Sequence, residues 1–145
     1  MSDENVELVR RLIPPPEVDV ATLLRDGALF DQMRAELDPF IDPEVESVAL
    51  WEPGAAERSY VGIEGFRTLW LDWLEPWAEY HVGVEELVDS GDRVVALIRD
   101  RGRRADMDAE VEITAGSVWT IRDGKVSRVE FCTREDALAA VGRPM

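Results

Sequence analysis

The sequence predicts an α+β fold: a strongly bent antiparallel sheet wrapped around N-terminal helices, with one pocket at the wide end of the wrap. Three observations predict it. Apolar residues recur at helical spacing as far as residue 77, and they alternate after residue 79. Two turn signals, Ser90-Gly91-Asp92 and Asp123-Gly124, fold the second half into a meander. Helices segregated from antiparallel strands pack as two layers around one core. The chain has 145 residues, 46% of them apolar, which suits a single domain over residues 1–145 with a substantial core.

Residues 2–13 read as a helix, with Ser2 as cap, Asp3 and Glu4 at its positive end, and Val6, Val9 and Ile13 on one face. Pro14-Pro15-Pro16 stops it. Asp19 caps a short second helix carrying Leu23 and Leu24. Gly27 interrupts the pattern, and residues 28–37 resume it with Leu29, Phe30, Met33 and Leu37. The Asp-Pro pairs at 38–39 and 42–43 end the helical region, and residues 45–52 suit a strand. In residues 63–77, Phe66, Leu69, Trp70, Trp73, Leu74 and Trp77 fall at i, i+3, i+4, i+7, i+8 and i+11, so one stripe is apolar and Pro76 bends or ends the last turn. Residues 80–89 and 93–101 form a hairpin, 101–105 a polar connection, and 109–121 and 125–132 a second hairpin. Residues 134–141 close the chain as a short helix with Thr133 as cap and Asp136 as its capping-box partner.

Charge and composition exclude several classes. Sixteen Lys and Arg against 31 Asp and Glu give a net charge of −15, which repels nucleic-acid phosphates and anionic lipid. One cysteine and one histidine supply neither a disulfide framework nor a zinc site, so no metal or other cofactor is expected. No apolar run approaches the length of a membrane span, and the charged N-terminus has no signal-peptide core, so a cytoplasmic location is expected.

The chain resembles the SnoaL-like proteins of the nuclear transport factor 2 superfamily. The matching stretches are Glu4 to Arg11, Asp42-Pro43-Glu44-Val45-Glu46, Tyr60 to Phe66, Trp73-Leu74-Glu75-Pro76-Trp77, Ser90 to Val95 and Val118 to Val126, in the family's order over nearly the whole chain. Residues 14–41 match least, because the family has a shorter helical connection there. The resemblance implies an NTF2-like α+β cone, a pocket and a homodimer. It does not imply one reaction, since relatives include polyketide cyclases, ketosteroid isomerases, dehydratases and epoxide hydrolases.

Chemistry in such a cone is proton transfer by a carboxylate whose pKa an apolar pocket raises, opposite a donor that stabilises an enolate-like oxygen. Glu52 is the first candidate base. Glu52-Pro53-Gly54 resembles the Asp-Pro of ketosteroid isomerases, although an ungapped match from Asp42 places Val48 there instead. Ser117 shares a strand face with Ile113, Ala115, Trp119 and Ile121, at a position where related isomerases carry an acid and many SnoaL-like chains a histidine. Its plainer reading is a small core residue whose hydroxyl bonds to a neighbouring carbonyl. Arg99 and Glu130 lie on strands that antiparallel pairing can bring together, and an arginine held by carboxylates is how related epoxide hydrolases activate water. Arg99 also belongs to a cluster with Arg101, Arg103 and Arg104 that suits an exposed hairpin end.

The candidate ligand contacts are aromatic: Trp70, Trp73, Trp119 and Phe131, with Tyr60 supplying a hydroxyl at the rim. His81 reads as a surface or interface residue, Asp72 as solvated, and Cys132 as a small buried residue. Val82, Val84 and Val88 on one side of a strand and Leu87 on the other leave neither sheet face fully wet, which predicts a two-fold homodimer.

Three functions fit. One is a cofactor-free isomerase, cyclase or dehydratase acting on a small apolar, polycyclic or carbonyl compound. Another is a ligand-binding or interaction module with the same cone. The third is an epoxide hydrolase-like enzyme. An open pocket larger than about 300 Å³ with a buried carboxylate favours the first. A cone filled by tryptophans favours the second. Arg99 between two carboxylates inside a cavity favours the third.

Overall fold

A computed structural model describes residues 2–50, 58–140 and 142. Helix α1 (Ser2–Leu12) buries Val9 and Leu12 and ends before the prolines. Asp19 caps α2 (Val20–Arg25), its Oδ1 accepting from the Ala21 N–H at 3.1 Å. Asp26 then ends α2 and caps α3 (Gly27–Leu37), accepting from the N–H groups of Ala28 and Leu29. Two helices thus share one aspartate, where the sequence pattern alone shows only an interruption at Gly27.

A 3₁₀ turn (Asp38–Phe40) leads into β1 (Ile41–Ala49). This strand starts four residues before the expected 45, because Asp42-Pro43 sits within it rather than ending the helical region. The pairing with the last strand is irregular between Ile41 and Glu46, and an interrupted ladder is where a strand tolerates proline. The short edge strand β2 (Arg58–Val61) was not expected from the sequence. Helix α4 (Gly62–Leu74) stops three residues earlier than its apolar stripe suggests. Pro76 has no N–H to continue it, and Trp77 opens β3 (Trp77–His81) instead. The remaining elements are β4 (Val84–Ser90), β5 (Arg93–Arg104), β6 (Glu110–Arg122), β7 (Lys125–Cys132) and α5 (Arg134–Ala140). The Thr133 hydroxyl accepts from the Asp136 N–H at 3.1 Å and caps α5 as expected.

The strands form one strongly bent, unclosed sheet in the order β2-β1-β7-β6-β5-β3, with β4 also pairing β5. Every pairing is antiparallel except β1 with β7, which is parallel. Two differences from the sequence reading matter for the site. Residues 101–104 are not a connection but the end of β5, paired with β3 and β6. Residues 80–89 are not one strand but two, lying end to end along β5 with a break at Val82-Gly83.

Gly83 makes that break possible. Its N–H donates to Asp100 and its carbonyl accepts from the Arg99 N–H at 2.8 Å, while a Cβ there would stand 2.4 Å from the Arg99 carbonyl oxygen. A bulge between Val84 and Glu86 then shifts the register. Face parity inverts across it: Tyr80, Val82 and Leu87 pack toward the main core, and Val88 packs on the other side. The expected grouping of Val82, Val84 and Val88 on one face is therefore corrected by the bulge.

The concave face of the sheet and helices α1 to α4 enclose the main core, which includes Leu24, Phe30, Leu69, Trp70, Tyr80, Ile98, Trp119 and Phe131. On the convex face, Val95, Leu97, Val118 and Cys132 pack under Ala137 and Leu138 of α5.

Candidate active site

The helices do not fill the concave face. Between α2, α3, α4 and strands β5 to β7 lies a cavity of about 310 Å³, lined mainly by apolar and aromatic side chains, among them Phe66, Trp70, Trp73, Trp119 and Phe131. Trp70 sets the aromatic frame: its ring stands edge-on to Phe131 at 5.5 Å and to Tyr80 at 6.1 Å between centroids. Trp77 and Trp73 meet the Tyr80 ring at 5.4 and 6.1 Å. Gly102 lets these rings lie on β5, since a Cβ there would come within 2.7 Å of the Trp77 ring.

Among the described residues, the acidic member of this lining is Asp100, 4% exposed. It lies on β5 with Val94, Ala96 and Ile98, all facing the core. Tyr80 donates its hydroxyl to Asp100 Oδ2 at 2.6 Å, and the Gly83 N–H donates to Oδ1 at 3.2 Å. Tyr80 is held in turn by Asp19, whose Oδ1 accepts the Tyr80 backbone N–H at 3.0 Å. Arg25 fixes the same corner by donating to the carbonyls of Leu74 and Trp77 at 2.5 and 2.7 Å.

Burial pushes the Asp100 carboxyl up to about 6, against the opposing pull of the Tyr80 and Gly83 hydrogen bonds. Burial, and then the adjacent carboxylate, push the Tyr80 phenol up, so the phenol keeps its proton. A carboxyl that titrates near neutrality in an apolar cavity suits proton transfer. The sequence pattern does not single out either group, because Asp100 stands in a run of arginines that suits an exposed hairpin end. Its parity with Val94, Ala96 and Ile98 was the available signal.

Ser117 lies where its face predicted. It lines the cavity, is 3% exposed, and its Oγ accepts the Trp119 indole N–H at 2.8 Å. Trp70, Trp73, Trp119 and Phe131 also line the cavity. Tyr60 does not: its hydroxyl donates to the exposed carboxylate of Asp72 at 3.1 Å on the outside of α4. Glu52 and Trp51 lie outside the described residues.

Arg99 and Glu130 are not brought together. Arg99 donates to Glu85 at 2.8 Å and to Glu112 at 2.5 Å on the outer surface, and Glu130 accepts from Arg128 at 3.3 Å. Arg99 does hold two carboxylates, but at the surface rather than in the cavity. Strand alternation explains this: Asp100 points inward, so its neighbour Arg99 points out. His81 sits between the Pro16 carbonyl and Glu79, at 2.9 and 2.7 Å, and the Glu79 hydrogen bond raises its pKa. Burial pushes the Cys132 thiol up to about 12, so it stays protonated and unreactive. No cluster of three metal-ligating side chains occurs among the described residues.

A bent sheet folded over helices around an internal cavity defines an NTF2-like cone. The SnoaL-like domain family matches residues 18–129, and the chain belongs to that family. Similar solved structures include a candidate SnoaL-like polyketide cyclase from Jannaschia sp. CCS1, at 21% identity over 97% of this chain and 92% of that one, TM-score 0.66. TerC co-crystallized with polyporic acid is similar at 18% identity over 95% and 97% of the two chains, TM-score 0.64. A ketosteroid isomerase-like protein from Catenulispora acidiphila, in complex with trimethylamine, is similar at 14% identity over 91% and 95%, TM-score 0.56. No curated protein matches the chain.

Proposed function

We propose that this SnoaL-like protein, acting in the cytoplasm as a single domain, binds a small, largely apolar molecule in its cavity and exchanges a proton with it through Asp100. The reaction is cofactor-free and of the isomerase, cyclase or dehydratase kind. One observation carries this reading: a carboxylate buried in an aromatic cavity of about 310 Å³, with its pKa raised toward neutrality and its orientation fixed by Tyr80 and Gly83. Ser117 contributes a second polar point. Its oxygen accepts the Trp119 N–H, and in this reading its own hydrogen donates to a ligand acceptor.

The test is proton exchange on a simple carbonyl probe. The wild-type protein accelerates deuteration of the α-carbon of 2-tetralone in D₂O, followed by NMR. The rate falls below about pH 6, because the base must be ionised. Asp100→Asn lowers the rate by about 10²-fold or more. Equal rates in both proteins contradict the proposal. Glu52, placed by resemblance at the position of the isomerase base, is tested in the same assay: Glu52→Gln with normal turnover removes it from the chemistry.

A non-catalytic binding module is the second reading, favoured by Ser117 standing where related isomerases carry an acid. Retained binding of 2-tetralone with no exchange above background identifies it. We also propose a two-fold homodimer, tested by light scattering at micromolar concentration, where a monomer contradicts it.

A further inference from the structure

We propose that the preferred ligand of the cavity carries a weakly hydrated cationic nitrogen, an alkylated ammonium on an apolar body, and that this nitrogen serves as the counter-ion of Asp100 inside the aromatic frame. The inference rests on the cavity being the binding site and adds the charge of what enters it.

The argument starts from the partners of Asp100. Both of its oxygens are hydrogen-bonded, but by neutral donors, the Tyr80 hydroxyl and the Gly83 N–H. Among the described residues no Arg, Lys or His pairs with it, whereas each of the arginines that flank it along β5, at 99, 101, 103 and 104, has an acidic partner. The cation in the cavity lining, Arg34, is paired with Glu64 at 2.7 Å and Asp38 at 3.8 Å. A buried ionised carboxylate without a counter-ion is costly, and the described residues offer this one none.

The surroundings supply the other half of the recognition. Tyr80, which holds Asp100, is ringed by Trp70, Trp73 and Trp77, and Trp70 also meets Phe131. Aromatic faces attract cations, most strongly those of tryptophan, and alkylated ammonium groups lose little hydration on entering such a frame. An anionic ligand finds the opposite, a buried carboxylate and, among the described residues of the lining, no unpaired cation. Neutral apolar molecules fit the same space but leave Asp100 unneutralised. A bound ammonium holds Asp100 ionised, the form in which it acts as a base.

The experiment compares two probes of nearly the same shape, benzyltrimethylammonium and its neutral carbon isostere neopentylbenzene. Binding is followed by NMR on the tryptophan indole signals. In the wild-type protein the cation binds about tenfold or more tighter than the isostere, with Overhauser contacts from its N-methyl protons to the Trp70 and Tyr80 rings. In Asp100→Asn the preference disappears while neopentylbenzene binds as before, which also shows that the variant is folded. The wild-type ratio and contacts need no variant at all. Equal or tighter binding of neopentylbenzene overturns the inference and leaves the proposed binding function standing. Cation binding that persists in Asp100→Asn, or that shows contacts only to the acidic surface, overturns it too. Failure of both probes to bind overturns the cavity as a binding site together with the inference.

Discussion

Arg99 and Asp100 are consecutive residues of β5 whose side chains leave opposite faces of one sheet, and their electrostatics are opposite as well. On the outer face Arg99 joins Glu85 and Glu112, and Glu85 also accepts from Arg134 at 2.5 Å. Hydrogen bonds from Arg99 and then Arg134 hold the Glu85 carboxyl below the usual carboxylate range. A second outer network joins Arg128 to Glu46 and Glu130. On the inner face Asp100 has, among the described residues, neutral donors only, and burial holds its carboxyl above the usual range. The outer carboxylates are solvated and paired, so they are spectators. The inner one is buried and, among the described residues, without a counter-ion, so its proton is available near neutral pH. One step along a strand separates a surface ion pair from a candidate acid.

Substitutions on the two faces should differ accordingly. The largest effect is expected for Trp70→Ala, which opens the aromatic frame and costs about 3–5 kcal/mol of stability, read from chemical denaturation. Asp100→Asn comes next, through pH. The native state holds the Asp100 proton up to about pH 6 while the unfolded chain releases it near the ordinary carboxylate value. Stability from this group is therefore fully present below the unfolded pKa and is lost as pH rises through about 6. The wild-type protein should lose up to about 3 kcal/mol relative to Asp100→Asn between pH 4 and pH 8, measured by denaturation at each pH. Tyr80→Phe deletes one of the two hydrogen bonds to Asp100 and should cost about 1–3 kcal/mol. It should also move the Asp100 titration further upward, because that hydrogen bond favours the ionised form. The smallest effect is expected for Arg99→Gln, which should leave the thermal midpoint and 2-tetralone exchange unchanged. A large loss of exchange in Arg99→Gln would erase the contrast between the faces.

The sequence foretold the architecture wherever periodicity was long and uninterrupted. The tryptophan stripe located α4, and Asp19 and Thr133 marked their helices because a side-chain oxygen there meets a free N–H. The inward face of β6, with Ser117 beside Trp119, followed from simple alternation. Legibility failed where local chemistry and tertiary position disagree. Arg101 to Arg104 look like a solvated turn, yet β3 and β6 extend β5 through them, and Asp100 inside that run is buried. The break at Gly83 cannot be read from residues 80–89 themselves. It exists because Asp100 accepts the Gly83 N–H from the neighbouring strand, and it inverts the parity on which the grouping of Val82, Val84 and Val88 relied. Arg99 and Glu130 sit on different strands of the correct sheet, but each had a nearer partner.

The central claim is that Asp100 is an inward-facing acid poised near neutrality. Carboxyl ¹³C NMR titration of Asp100, assigned by comparison with Asp100→Asn, tests it most directly. The account predicts a midpoint near 6 that moves higher in Tyr80→Phe. A midpoint in the ordinary aspartate range, unaffected by loss of the phenol, would contradict it.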